Sequence, residues 1–180
     1  MAPREIVDAD RLRGLLEEIG RTFRKPARLF LTGGETMVWR GLRASTMDVH
    51  FAFEVEPAHH DAWLQCLRGL KERLSVSLEE AGPGDFIPLP PGWEGRARHA
   101  GKFGSVDVYL FDPWSIALAR IERGHARDFA DVRALIAADV LDPAELRRHF
   151  EAILPAYGTM SVKADPRRFR SRLESVLAAP

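Results

Sequence analysis

Apolar side chains recur at three- and four-residue steps in two long segments of the N-terminal half, which is the pattern of helices that bury one face. The first segment predicts a helix over residues 8–24, ended by Lys25-Pro26. The second predicts a helix from Pro57 to about residue 74. The residues that define the two buried stripes are Leu12, Leu15, Leu16, Ile19 and Phe23 in the first and Trp63, Leu64, Leu67, Leu70 and Leu74 in the second.

Shorter apolar or alternating runs lie between and after these helices and predict β-strands. A short helix over residues 35–41, packed by Met37 and Val38, is expected after the first strand. Residues 81–95 are so rich in Gly and Pro that they predict a loop or a β-excursion. The predicted strands are residues 27–32, 46–54, 75–78, 96–103 and 105–111, with Gly104 as the joint of the last two.

The last third of the chain has helical patterning from Pro113 onwards. Asp142-Pro143 and Asp165-Pro166 each have the form of an N-cap followed by proline at the first helical position. The predicted helices are residues 113–122, 126–138, 143–154 and 166–178.

This order of elements predicts an α+β fold, with a mixed β-sheet flanked by helices and a C-terminal helical segment. We expect two parts. Residues 1–112 form the α/β core, and residues 113–180 form a helical region packed on that core.

Composition narrows the functional classes only slightly. Lys plus Arg number 26 and Asp plus Glu number 26, so global charge gives no case for a nucleic-acid or membrane partner. Cys66 is the only cysteine, which excludes an intrachain disulfide or a thiolate zinc site. The N-terminus has no apolar signal-peptide core, and no apolar run approaches the roughly 20 residues of a membrane helix. We therefore expect a soluble cytoplasmic protein.

The stretch from Leu29 to Glu54 carries the most chemical information. An apolar strand stops at Gly33-Gly34, a short helical segment follows, and Asp48 then opens an apolar–polar alternation. A later strand, GSVDVYLF, carries Asp107. Strand, glycine turn, short helix and acidic strand in this order resemble the nucleotidyltransferase superfamily, the fold of polymerase-beta-like enzymes.

In that superfamily the acidic strand carries two Asp residues separated by one position. Here the first is Asp48 and the second position holds His50, and alternation along a strand places both on one face. The resemblance implies that Asp48, His50 and Asp107 are catalytic and metal-binding residues, with Asp107 reaching the other two if its strand is adjacent. It also implies that Gly33 and Gly34 cradle phosphate.

The implied metal is Mg²⁺, with Mn²⁺ as an alternative, because nucleotidyl transfer depends on divalent metals to neutralise phosphate oxygens. Oxygen ligands suit magnesium, whereas imidazole suits other metals better. Replacement of one carboxylate by His50 should therefore weaken a two-magnesium site to one metal or none.

Further residues resemble one branch of bacterial nucleotidyltransferase-like proteins, which includes toxins of abortive-infection and toxin–antitoxin systems. Arg43 and Thr46 fit the pattern that leads into the acidic strand, and both are expected to contact the nucleotide. A later Arg-Asp-x-x-Asp segment matches Arg127 to Asp131. Arg120 stands where that branch often has Lys, and it is the candidate for a triphosphate contact. Asp131 is better explained as part of a salt-bridge cluster.

Three hypotheses follow. The first is metal-dependent transfer of a nucleotide from a nucleoside triphosphate (NTP) to an RNA or protein acceptor. The second is a catalytically degraded binding or regulatory module, such as a toxin–antitoxin component with a cognate antitoxin-type partner. The third is a protein that binds a nucleotide without transferring it. The replacement at His50 separates them, because it lowers the expectation of catalysis without changing the expected fold.

Overall fold

The computed structural model describes residues 5–178 and divides the chain into two units. The first unit comprises the chain up to Gly82 together with Arg98–Phe111. The second comprises Pro83–Ala97 and the chain from Asp112 onwards. The predicted α+β class is confirmed, since a mixed five-stranded sheet and flanking helices form the first unit and further helices form the second.

The sheet of the first unit is mixed, with the strand order β3-β2-β1-β5-β4. The central strand β1 runs antiparallel to β2 and parallel to β5. The outer pairs are β2 with β3, which are parallel, and β5 with β4, which are antiparallel. The strands are β1 Ala27–Leu31, β2 Asp48–Val55, β3 Ser77–Glu80, β4 Arg98–Phe103 and β5 Val106–Leu110.

The α-helices described in this unit are α1 Ala9–Thr22, α2 Glu35–Trp39 and α3 His60–Arg73. The predicted apolar stripes of α1 and α3 meet alternate residues of the strands in one hydrophobic core. Burying this much apolar area is the main favourable contribution to the fold. Among the strand residues in this core are Leu29, Leu31, Val49, Phe51, Val106, Val108 and Leu110.

Helix α1 lies directly against the turn between β4 and β5. A side chain at Gly20 would begin 2.3 Å from the carbonyl oxygen of Phe103, so only glycine fits there. Gly104 has a φ of +59°, which favours glycine, and it joins the two strands as the sequence predicted.

Of the four α-helices described in the second unit, three begin at the predicted prolines and one, α5, begins at Ala126. The carboxylates of Asp142 and Asp165 accept hydrogen bonds from backbone N–H groups three residues later, at 2.8 and 3.0 Å, which confirms both predicted caps. The helices are α4 Pro113–Arg123, α5 Ala126–Ala137, α6 Pro143–Met160 and α7 Pro166–Ala178.

Helix α6 continues past Pro155, where the sequence predicted its end. The added turn carries Tyr157, whose ring lies 4.8 Å from that of Phe169 and whose hydroxyl donates to Glu122 at 2.9 Å. Packing of this side chain offsets the backbone hydrogen bond that a proline inside a helix removes.

Two other boundaries differ from the sequence prediction. Strand β3 begins at Ser77 instead of residue 75, because Ser75 adopts a left-handed conformation with a φ of +52° that no strand residue has. The Gly- and Pro-rich segment 81–95 is a loop with short 3₁₀ turns and contains no strand.

Within residues 5–178, no helix combines the length and apolar character needed to cross a membrane.

Candidate functional site

The predicted glycine turn lies where the chain leaves the central strand. The last paired residue of β1, Leu31, is opposite Phe51 of β2, and the N–H of Thr32 still donates to the carbonyl of His50 at 3.1 Å. Strand β2 begins further out, at Asp48. Gly33-Gly34, His50 and Asp48 therefore share one end of the sheet, which we call the glycine end.

Side chains approach both glycines closely. A Cβ atom on Gly33 would lie 2.6 Å from Nδ1 of His50 and 2.8 Å from Oε2 of Glu35. A Cβ atom on Gly34 would lie 2.6 Å from Nη1 of Arg43 and 2.7 Å from Oγ1 of Thr46. The predicted nucleotide contacts Arg43 and Thr46 are thus brought to the glycine turn.

Thr46 is held in place by both its backbone and its side chain. Its N–H and carbonyl pair with Val7 at 2.9 and 2.8 Å, in an isolated bridge at the margin of the sheet. Its hydroxyl donates to the carbonyl of Asp48 at 3.1 Å. The loop that carries Arg43 is therefore fixed at its far end, immediately before the acidic strand.

His50 faces a carboxylate that the sequence prediction missed. Glu79 of β3 is directly opposite His50 in the parallel pair, and its Oε2 lies 3.5 Å from Nε2 of His50. The prediction ended the strand at residue 78, so Glu79 was not considered. A Glu in an acidic run beside the predicted strand was the available signal.

Glu35 is a second residue that the sequence prediction missed. It is the first residue of α2, it is fully buried, and its carboxylate accepts from the N–H groups of Thr32 at 2.9 Å, Gly33 at 2.5 Å and His50 at 3.3 Å. Burial raises the pKa of the Glu35 carboxyl, although the backbone amides and the charge of His50 act to lower it. The sequence offered no signal for it, because a position directly after a glycine pair does not indicate burial.

This arrangement corrects one part of the predicted phosphate cradle. The N–H of Gly33 donates to Glu35, so it is already engaged within the protein. Helix α2 has only five residues, and the N–H groups of Thr32 and Gly33, just before it, both donate to the carboxylate of Glu35. The glycine pair makes room for side chains, and phosphate contacts at this end would come from groups such as Arg43.

Asp107 does not join Asp48 and His50, which corrects the expectation of a shared site. It is level with Arg28 of β1 and Glu54 of β2, and Glu54 lies six positions from Asp48. Six strand residues span about 20 Å. Because β1 lies between β2 and β5, the strands are also not adjacent, as the prediction required.

Asp107 nevertheless lies on the same face of the sheet, which we call the polar face. Its carboxylate is 3.1 Å from Nε2 of His99 and 3.7 Å from Nζ of Lys102, both on the neighbouring strand β4. These contacts give Asp107 a structural role in pairing β5 with the edge strand β4.

Arg120 belongs to the second unit and is only 3% exposed. Its Nη1 lies 3.4 Å from Oδ2 of Asp131, and Arg123 donates to Asp128 at 2.6 Å. The expectation that Asp131 belongs to a salt-bridge cluster agrees with these contacts. A contact of Arg120 with a triphosphate stays a prediction.

The side chains at the glycine end suit a metal ion only if a bound phosphate supplies further ligands to it. Among the described residues, no group of three or more His, Cys, Asp or Glu side chains is arranged to hold a metal ion. Magnesium, however, commonly binds through one or two carboxylates together with substrate phosphates. Asp48 and Glu79, which flank His50 on the polar face, fit that mode and do not fit a metal cage built by the protein alone.

Comparison with known proteins adds no family to this description: no protein-family model, curated protein or solved structure matches the chain.

Proposed function

We propose that this protein is nucleotidyltransferase-like and binds a nucleoside triphosphate with Mg²⁺ at the glycine end of its sheet. The proposed reaction is transfer of the nucleotide to an RNA or protein acceptor. The observation that carries the proposal is that Gly33, Gly34, Arg43, Thr46 and His50 meet around one turn, beside the start of the acidic strand at Asp48.

The proposed roles of the residues at the glycine end follow from the charges of their side chains. Arg43, whose guanidinium lies over Gly34, would bind phosphate oxygens through its fork of N–H donors. Asp48 would hold the magnesium that arrives with the triphosphate, with Glu79, opposite His50, as a further carboxylate on this face. Bound magnesium would neutralise charge on the phosphate oxygens during transfer.

His50 has a positioning role in this proposal. Its Nε2 faces Glu79, and its backbone N–H donates to Glu35. A carboxylate on one ring nitrogen orients an imidazole and fixes its tautomer. His50 would therefore shape the site beside Gly33 and add no negative charge to the binding of a metal.

The second candidate is a degraded module that keeps the fold without catalysing transfer, such as a toxin–antitoxin component. The distance of Asp107 from Asp48 favours it, because the carboxylate that the resemblance implied as the third ligand does not reach the glycine end. In that case the protein would act through a cognate protein partner, and Arg43 and Asp48 would contribute only to nucleotide binding or to stability.

Calorimetric titration of the metal-stripped protein with ATP, GTP, CTP and UTP, with and without Mg²⁺ or Mn²⁺, tests the proposal. We expect metal-dependent binding that Asp48→Ala abolishes. Asp61→Ala is the matched control, because Asp61 is fully exposed on α3 and should leave binding unchanged. Folded wild-type protein that binds no nucleotide under any condition would contradict the proposal and favour the degraded module.

A further inference from the structure

A groove lies on the helical side of the first unit, where the C-terminal end of α1 meets α3. The start of each helix lies beside the end of the other, since Arg11 donates to the carbonyl of Leu74 at 3.1 Å and the ring centroid of Phe23 lies 4.9 Å from that of Trp63. Both helices pack on the apolar face of the sheet. The groove is therefore on the opposite side of the sheet from Asp48.

The volume of this groove suits a small molecule. It is about 460 Å³, and ligand pockets in proteins have volumes of about 300–1,000 Å³. An α-helix with its side chains is about 10–12 Å across and rises about 5.4 Å per turn, so the groove would hold only about one turn of a partner helix. A small ligand fits this volume better than a protein segment does.

Small side chains on α3 create the groove. Ala62, Cys66 and Gly69 line it at steps of three and four residues, which places them on one face of the helix. Nothing lies within 4 Å of the Cβ position of Gly69. A larger side chain at Gly69 would therefore enter open space without displacing a neighbour.

The floor of the groove is apolar. Phe23 and Leu70 line it and are otherwise buried, with exposed fractions of 4% and 1%. Cys66, which is partly buried, adds a weakly polar thiol to the same wall. An apolar group that covers these side chains gains about 25 cal/mol for each Å² of apolar surface removed from water.

Cations flank this floor, and carboxylates balance only part of their charge. Arg24, Lys25 and Arg73 line the groove, whereas no Asp or Glu among the described residues lines it. Arg73 pairs with Glu18 at 2.7 Å, but the same carboxylate also pairs with Arg21 at 2.6 Å. Within residues 5–178, Arg24 and Lys25 form no ion pair with an acidic side chain. The groove therefore carries a net positive charge.

We infer that this groove binds an amphipathic anion, whose apolar chain covers Phe23 and Leu70 and whose anionic head group lies beside Arg24 and Lys25. The cations select the head group, since guanidinium and ammonium groups donate charge-assisted hydrogen bonds to anionic oxygens. The apolar floor selects the chain. This site uses neither metal nor nucleotide, and it is separate from the glycine end.

The test is binding of decanoate in EDTA and without nucleotide. Decanoate is an apolar chain that ends in a carboxylate, and 1-decanol has the same chain without the charge. Calorimetric titration measures both probes below the concentrations at which they aggregate. Cys66, the only cysteine of the chain, gives a second measure, because an occupied groove should slow its alkylation by iodoacetamide.

Two kinds of variant separate the chain from the head group. Gly69→Leu fills the groove, and Gly14→Leu is its control, because Gly14 on α1 also has an open Cβ position and does not line the groove. Arg24→Gln and Lys25→Gln each remove one cation. Arg68→Gln is their control, since Arg68 is an exposed arginine of α3 that does not line the groove. Both leucine variants should stay folded, because leucine favours a helix more than glycine does.

We expect the wild type to bind decanoate and to bind 1-decanol roughly tenfold more weakly, because each of two partly exposed cations contributes roughly threefold. Arg24→Gln and Lys25→Gln should each weaken decanoate binding by that roughly threefold factor and leave 1-decanol binding unchanged. Gly69→Leu should weaken the binding of both probes. Decanoate should slow the alkylation of Cys66 in the wild type and in Gly14→Leu, but not in Gly69→Leu.

Absence of decanoate binding by the wild type would overturn the inference, and so would equal binding by Gly69→Leu and Gly14→Leu. Binding of 1-decanol as tight as that of decanoate would also overturn it, because the cations would then select nothing. Urea denaturation shows which variants are folded. If a variant does not fold, the comparison of decanoate with 1-decanol on the wild type still decides. Failure here is distinct from failure of the proposed function, which is measured with nucleotide, metal and Asp48→Ala.

Discussion

The two ends of the polar face hold their acidic residues in different ways. The end of the polar face away from Gly33-Gly34 is called the far end. There Asp107 pairs with His99 and Lys102. Arg28 pairs with Glu54 at 2.7 Å and stacks on aromatic rings of β1 and β5. Charges there are matched between neighbouring strands. At the glycine end, a tight turn brings Arg43, His50 and the buried Glu35 together. The comparison shows that a carboxylate can lie on the correct face of the sheet and still be outside the site. Its position along the strand determines whether it reaches the glycine end.

Among substitutions that test this comparison, we expect the largest loss of stability at Glu35. Glu35→Ala leaves buried N–H groups of Thr32, Gly33 and His50 without their acceptor, which should lower the free energy of unfolding by about 3 kcal/mol. Urea denaturation measures this. Glu79→Ala, at a half-exposed carboxylate, is the control and should change stability far less. Equal losses in the two variants would contradict a special role for Glu35 at the glycine end.

The same carboxylate predicts a dependence on pH. Burial raises the folded-state pKa of Glu35 above its ordinary value of 4.5, so the folded state favours the protonated form. The contribution of Glu35 to stability is therefore greatest below that ordinary value and falls as the pH rises through the raised pKa. The stability of the wild type relative to Glu35→Gln should decline over this window. If the stability of the wild type relative to Glu35→Gln instead rises with pH, the predicted direction of this dependence is wrong.

A smaller effect is expected from filling the turn itself. Gly33→Ala places a methyl group within contact distance of His50 and Glu35, which should cost about 1 to 3 kcal/mol and weaken nucleotide binding. Gly14→Ala on α1 is the control, since nothing lies within 4 Å of its Cβ position and alanine favours a helix. Chemical denaturation should show the two substitutions moving stability in opposite directions.

The smallest effect is expected at the far end. Arg28→Ala removes one half-exposed ion pair and its stacking on Phe30 and Tyr109, which should lower the free energy of unfolding by no more than about 1 kcal/mol. Nucleotide binding should not change. A marked loss of nucleotide binding in this variant would show that the far end belongs to the site.

The difference between the two ends also explains what the sequence could predict. Alternation in β2 correctly placed Asp48 and His50 on one face, and the glycine pair correctly marked a turn after the first strand, although the side chains that crowd this turn were not predicted. Alternation carries no information on which strands are neighbours or on their register, so Asp107 was assigned to the wrong end. Glu79 was missed because the start of β3 depends on the left-handed Ser75, and Glu35 because a polar residue after a glycine pair gives no sign of its burial.

The most direct test of this account compares Asp48→Ala with Asp107→Ala in calorimetric titrations with ATP and Mg²⁺. The two residues are of the same type, lie on the same face of one sheet and differ in which end they occupy. We predict that Asp48→Ala abolishes metal-dependent binding and that Asp107→Ala binds as the wild type does. Equal loss in both variants, or loss in Asp107→Ala alone, would contradict a site confined to the glycine end.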